Sequence, residues 1–203
     1  LKLSVRALRL SPGFTLAAVA ALALGIGSTT AIFSVVNAVL LKPPPFPESD
    51  RIVWFEVTSA QGQNQGGSPA KFDFWRQQTD VVEQVTAFRS GLLNYTGGDL
   101  PEQLKWEQAS AEYFRLFGAP IIHGRAFSAE EDRPNGPKVA LISEQLWDRR
   151  FDRDPAVIGD SLSLSGEAHT VIGVVGADFD FRDFTTQRDV WTPFQLEPNS
   201  TDQ

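Results

Sequence analysis

Cysteine and methionine are both absent from the 203 residues, and histidine occurs only twice. Without thiols there is no disulfide framework, no cysteine-ligated zinc and no thiol nucleophile. His123 and His169 lack the i, i+4 partner of a helical zinc site, so each reads as a surface or strand-end residue. No stretch of glycines leads into Lys-Ser or Lys-Thr, which excludes ATP binding by a phosphate-cradling loop. Gly25-Ile26-Gly27 lies in an apolar run with no third glycine at the dinucleotide spacing, and no serine sits in a nucleophile elbow. Acid is missing from residues 1–47, which carry Lys2, Arg6, Arg9 and Lys42 for a charge of +4. The rest holds 14 bases against 25 acids, for −11, within a chain total of −7. A basic end before an acidic body marks a membrane boundary and argues against nucleic acid on the body. The sequence opens on Leu1, as expected of a segment of a longer product.

What is present begins with an apolar run. Phe14 to Leu41 gives 28 residues without a charge. As a helix this stretch reaches about 42 Å, and about 20 residues already cross the hydrocarbon. A secretory signal has an apolar region of only about 7 to 15 residues, so a retained membrane helix over 14–41 is the expectation. Three bases precede the run and Lys42, Glu48 and Asp50 follow it, which sets residue 1 in the cytoplasm and residue 50 outside. Ala17, Ala21, Gly25 and Thr29 recur every fourth position, a stripe of small residues on which another helix can pack closely. Ahead of the span, Lys2, Arg6 and Arg9 run beside Leu1, Val5 and Leu8 at i, i+4, i+7, the pattern of an interfacial helix over 1–13 on the cytosolic side. Ser11-Pro12-Gly13 is expected to break the chain before the span.

Residues 42–50, with Pro43-Pro44-Pro45 and Pro47, read as a stiff exit linker. Beyond it, 51–203 is long enough for one or two small domains. Arg51 to Thr58 is β-rich and predicts a strand, and Gln61 to Gly67 a polar loop. Ser68-Pro69 starts a helix running to about Gln78. Val81 to Tyr95 leans to strand, Leu104 to Ala109 alternates as another, and Ser110 caps a short helix stopped by Gly118. Ser128 with Glu131 fits a capping box. Lys138 to Ile142 is a strand feeding Ser143, the cap of a helix over 144–151. Ser161 to Leu164, the turn Ser165-Gly166-Glu167 and His169 to Val175 form the one evident hairpin. The class is α+β: one N-terminal transmembrane helix followed by a mixed extracytoplasmic domain.

Asp178, Asp180, Asp183 and Asp189 invite a calcium or acid–base reading. Phe179, Phe181 and Phe184 interleave with them, and the glycine and terminal Glu of a calcium loop are missing, so a half-buried strand or loop fits better. Glu130, Glu131 and Asp132 suit a helix start, where acids complement the dipole. Asn94-Tyr95-Thr96 and Asn199-Ser200-Thr201 are formal glycosylation sequons. Nothing in this inventory makes an enzyme.

The run from Leu24-Gly25-Ile26-Gly27 through Thr30-Ala31-Ile32-Phe33-Ser34-Val35-Val36-Asn37 resembles the first membrane helix of MacB/FtsX-type ABC transporter permeases. The likeness continues in order through Ser68-Pro69, Phe72 to Trp75, Glu112-Tyr113-Phe114 with Gly118, and Gly124-Arg125 with Phe127. Ser143, Leu146-Trp147, Arg150-Phe151, Asp154-Pro155, Ile158-Gly159, Thr170 to Val174, Phe179, Val190-Trp191 and Pro193 complete it. It covers nearly the whole chain and is closest to the stand-alone permeases that lack a fused ATPase domain. The resemblance implies a MacB-like periplasmic core domain over 51–203, cut at its C-terminal end, in a bacterial inner membrane. It implies a separate cytosolic ABC ATPase that binds the ATP, a second permease copy or half, the lipid bilayer and a periplasmic partner, with no catalytic residue, metal or cofactor in this chain. A single-anchor binding or sensor module is the alternative, and a tethered hydrolase using the acidic cluster a third reading. The transported substrate stays open.

Overall fold

The computed structural model describes residues 10, 12–37, 46–58, 64–97, 101–179 and 187–196. Lys2, Arg6, Arg9, the end of the apolar run, Pro43 to Pro45, Asp180, Asp183 and the second sequon lie outside them. The chain divides into two units, Leu1–Pro44 and Pro45–Gln203.

The first unit contains helix α1, Pro12–Val36, 25 residues with none buried. It is long and apolar enough to cross a membrane. The chain ahead of Pro12, where the break is expected, lies outside the described residues except for Leu10, while Pro12 and Gly13 stand in the first turn of α1. Proline is tolerated there because its missing N–H would have had no partner within the helix.

In the second unit, α2 is Pro69–Arg76, α3 Tyr113–Leu116 and α4 Glu144–Phe151. The strands are β1 Val57–Thr58, β2 Asn64–Gln65, β3 Phe88–Tyr95, β4 Glu102–Ala109 and β5 Ile121–Gly124. They continue with β6 Val139–Ser143, β7 Ser161–Leu164, β8 Glu167–Val175 and β9 Val190–Pro193. β1 and β2 form a separate small ladder, and the other seven make one sheet ordered β5-β8-β6-β9-β4-β3-β7. β8 carries this topology. One of its edges pairs parallel with β6, while the other serves β7 over its first half and β5 over its last. Tyr95 opposite Leu164 joins β3 to β7, so six strands close on themselves with β5 outside the ring.

The apolar pattern explains why both faces are covered. Along β6, Ala140 and Ile142 enter one core with Leu104, Val171, Val174, Val190 and the α4 residues Leu146 and Trp147. Val139 and Leu141 enter the other, with Phe114, Phe117 and Tyr113 of the α3 segment, Ile172, Val175 and Trp191. A strand buried on both faces reads as an unbroken apolar run, as Val139 to Ile142 does. β8 takes an extra residue near Ile172, where its register against β6 shifts. Gly173 follows and faces Gly124 across the β5 ladder. A Cβ on Gly173 would collide with the Arg125 carbonyl and one on Gly124 with that of Ile172, so glycine lets these two backbones cross.

Local chemistry follows the sequence where a side chain has a near partner. Ser143 Oγ accepts from Leu146 N at 3.1 Å and caps α4. Ser128 and Glu131 form the reciprocal box, with Ser128 N donating to Glu131 Oε2 at 2.8 Å and Glu131 N to Ser128 Oγ at 3.3 Å. Ser165 and Gly166, both at positive φ, turn the β7–β8 hairpin. Three expectations are corrected. Arg51 lies in a 3-10 turn and the strand starts only at Val57. Ser68 flanks α2 without a side-chain cap bond. Ser110 Oγ does not cap α3; it accepts from Ala87 N and pairs with Thr86 Oγ1, tying the chain to the segment before β3.

Candidate functional site

Two features of the second unit bring charged groups together. The first is a cleft of about 300 Å³ between α2, the acidic turn and the chain leaving β9. This lies at the lower end of the volumes that hold small ligands. Phe72, Phe194 and Leu196 supply apolar lining, while Asp73, Arg76, Glu112 and Arg133 supply charge. Arg76 and Asp73 pair at 2.9 Å one turn apart on α2. Asp132 holds the walls together. Its Oδ2 accepts from Ala111 N at 3.0 Å, and its Oδ1 from Phe194 N at 2.9 Å and Gln195 N at 3.1 Å. Three chain segments therefore meet on one carboxylate. Burial raises its pKa above the ordinary aspartate value, against the three backbone donors.

Next to it the capping-box carboxylate works in the opposite direction. Arg125 donates to both oxygens of Glu131, at 2.8 and 2.7 Å. This bidentate contact, more than Ser128, holds the Glu131 pKa below the usual glutamate range although burial opposes it. A folded-state pKa below the unfolded one contributes stability that is present above about pH 4.5 and lost as pH falls through the folded value. Glu131→Gln is therefore expected to flatten the acid limb of a Tm-versus-pH profile between pH 7 and 3. An unchanged limb would assign acid lability to other groups.

The second feature is buried. Glu107 of β4 is fully inaccessible and pairs with Arg188, just before β9, at 3.0 Å. Ser90, opposite Glu107 on β3, donates to the same carboxylate at 3.1 Å and accepts from Arg188 at 2.6 Å. The Tyr113 hydroxyl adjoins Glu107 and Trp191, and burial, with the Glu107 charge behind it, pushes its pKa far above the normal phenol value. A cavity of about 20 Å³, room for one water, lies beside Tyr113, Arg188 and Trp191. This arrangement fixes strands β3, β4 and β9 to one another.

Of the residues singled out in the sequence, the described ones are the stripe on α1, Asp178, Asp189 and the two histidines. Ala17, Ala21, Gly25 and Thr29 all lie exposed on α1, and a Cβ on Gly25 would meet nothing within 4 Å. Ser28 and Thr29 donate their hydroxyls to the Gly25 carbonyl at 3.2 and 2.9 Å. Asp189 accepts from Lys105 N at 2.8 Å and pairs with Arg149 at 3.0 Å, while Asp180 and Asp183 lie outside the described residues. His123 stacks on Trp147 at 5.8 Å between ring centres. Sequence reading missed the cleft and the burial of Glu107. The one available signal was that Glu107 shares the face of Ala109 in an alternating strand.

An apolar helix followed by a mixed sheet with short helices on both faces defines a helix-linked α+β domain. The model of the MacB-like periplasmic core domain matches residues 15–202, and the chain belongs to that family. Among solved structures, the periplasmic region of MacB from Actinobacillus actinomycetemcomitans is similar, with a TM-score of 0.54 and 17% identity over 67% of this chain. The chain spans 59% of that region. The extracellular domain of the noncanonic ABC-type transporter YknZ from Gram-positive bacteria matches at a TM-score of 0.49 and 17% identity, over 61% of each chain. No curated protein matches.

Proposed function

We propose that this chain is part of a permease subunit of a MacB/FtsX-type ABC transporter, non-catalytic itself, in which a separate cytosolic ATPase moves the extracytoplasmic domain to export or extract a substrate. The supporting observation is that the family match begins at residue 15, inside α1, and runs through the domain. Apolar helix and folded domain belong to one family unit. In this reading residues 1–13 lie on the cytosolic face with Lys2, Arg6 and Arg9 toward lipid phosphates, 14–41 cross, 42–50 transmit and 51–203 face outward. A nucleotide-driven change at the ATPase biases a two-state domain through that path. The partners are the ATPase, a second permease copy or half, the bilayer and an extracytoplasmic protein.

The test is reconstitution in proteoliposomes with the ABC ATPase of the same locus. Deleting residues 1–12 is expected to weaken membrane seating or ATPase coupling. Full stimulation without those residues would count against the interfacial role, and no stimulation by the intact protein against the permease reading. The stripe Ala17, Ala21, Gly25 and Thr29 is proposed as a helix-packing face. Gly25→Leu is expected to reduce self-association or partner association of α1 in a membrane two-hybrid assay by at least a few-fold, from lost backbone approach. Equal signal would remove the packing role. The cleft lined by Phe72, Glu112 and Arg133 favours the second reading, a single-anchor binding module; ligand binding indifferent to nucleotide would select it.

A further inference from the structure

The last residues of the proline-rich exit touch the folded domain. The Phe46 ring meets Phe117, just past α3, edge-on at 5.0 Å. Pro47 lies so close to Gly118 that a Cβ there would stand 2.6 Å from the proline Cγ. Gly118 has φ 66°, so glycine serves both the turn that ends α3 and the approach of the ring. Ile52 joins Phe46 against the core of Tyr113, Phe114 and Phe117. Arg51 reaches Glu83, ahead of β3, at 2.8 Å. Residues 46–52 are thus a strap across the end of α3. It is held by other means than the large sheet. It contributes no residue to a strand, and its backbone bonds between described residues are local, Arg51 N to Glu48 O at 2.8 Å and Ile52 N to Ser49 O at 3.4 Å. The Arg51–Glu83 pair is exposed at both ends, where an ion pair contributes little. Glu48 has φ 47°, the left-handed region that strains a residue bearing a Cβ, and release of the strap relieves that strain.

We infer that residues 46–52 are a releasable strap: the chain entering the domain is seated on Phe117 and Gly118, and it leaves this seat as a unit while the sheet stays folded. Phe46 and Ile52 are its grips and Gly118 the notch that admits Pro47. The sheet is built to outlast it, since β4 has eight pairs with β3 on one edge and a parallel ladder with β9 on the other. A segment held by a few side-chain contacts opens at lower free energy than strands paired on both edges. Seven residues drawn straight let out at most about 24 Å of chain. The next holds are Trp54 on Phe88, at 5.4 Å, and Phe55 on Trp75, at 4.7 Å. This inference goes beyond the transport reading and stands equally on the binding-module reading, since both put α1 and the domain on one polypeptide.

The test is limited trypsin digestion of the whole protein in nanodiscs, with the cut after Arg51 followed by mass spectrometry. Cutting at Arg51 reports an opened strap. Cutting at Lys105, which pairs with Leu92 in the β3–β4 ladder, reports an opened sheet. In the parent, Arg51 is expected to be cut about 10-fold or more slowly than in a peptide of residues 46–56, yet well before Lys105. Phe46→Ala and Gly118→Ala are each expected to speed the Arg51 cut by about 10-fold and to leave Lys105 as in the parent. Gly166→Ala is the control: it too has positive φ, 87°, but nothing lies within 4 Å of the added Cβ, so the Arg51 cut stays unchanged. Cutting of the parent at the free-peptide rate would overturn the seat, as would either variant behaving like the parent. Arg51 and Lys105 opening together would overturn separate release. An effect of Gly166→Ala equal to that of Gly118→Ala would overturn the notch and assign the loss to backbone strain.

Discussion

Arg188→Met is expected to lower the unfolding free energy by about 3–5 kcal/mol, the usual cost of removing one partner from a buried ion pair. Glu107 is fully buried and the Arg188 side chain is only 11% exposed, so the remaining carboxylate would have no water to receive it. Ser90 and Tyr113 do not neutralise that charge. Removing both charges by Glu107→Leu with Arg188→Met is expected to recover most of the loss, because a desolvated pair contributes little net stability over apolar groups of similar size. Denaturant midpoints of the protein in nanodiscs, followed by tryptophan fluorescence, measure both. A single variant within about 1 kcal/mol of the parent would show that the pair is hydrated in solution.

Asp132→Ala comes next in size, at about 3–4 kcal/mol. Hydrogen bonds to an ionised acceptor contribute about 1.5–3 kcal/mol each. The alanine frees three backbone donors, Ala111, Phe194 and Gln195, which water entering the adjoining cleft partly satisfies, so the net loss falls below the sum of three. The loss also has a location. The cleft depends on this carboxylate to hold the turn at 128–136 against the start of α3 and the chain after β9, so amide exchange should rise there first. Asp132→Asn is expected to cost less, because its oxygen can still accept from Phe194 and Gln195 while its NH2 opposes the Ala111 donor. If alanine and asparagine behaved alike, the amide bonds would not carry the effect.

Local signals in the sequence located the elements whose determinants lie within a few residues. Ser143 with the apolar spacing of Leu146 and Trp147 gave α4 its exact limits, and the Ser165-Gly166 turn gave the β7–β8 hairpin. The apolar run gave α1, and the ordered matches from Ser68 to Pro193 gave the family. The β3–β4 pairing, with eight residue pairs between Phe88–Tyr95 and Glu102–Ala109, was not identified as a hairpin; its two strands were read separately as Val81 to Tyr95 and Leu104 to Ala109. The parallel pairings β4–β9 and β6–β8 join residues far apart in sequence, which no local pattern encodes. Asp132 was read as part of a helix start, where acids are common. Its role as a tie comes from residues 21 positions before it and 62 and 63 after it. Ser110 failed as a cap because Thr86 and Ala87, remote in sequence, offered its hydroxyl better partners.

The ring of six strands is fastened unequally. Most neighbours share a ladder, but β3 and β7 meet at the single pair Tyr95 and Leu164, helped by Thr96 N on the Ser163 carbonyl and Ser165 N on that of Asn94. A load spread around the ring would therefore be relieved first at this join. Faster amide exchange at Thr96 and Ser165 than along the eight-pair β3–β4 ladder is the expected sign of it, although the Asn94 N to Ser165 Oγ and Thr96 to Ser163 hydroxyl bonds add to the join.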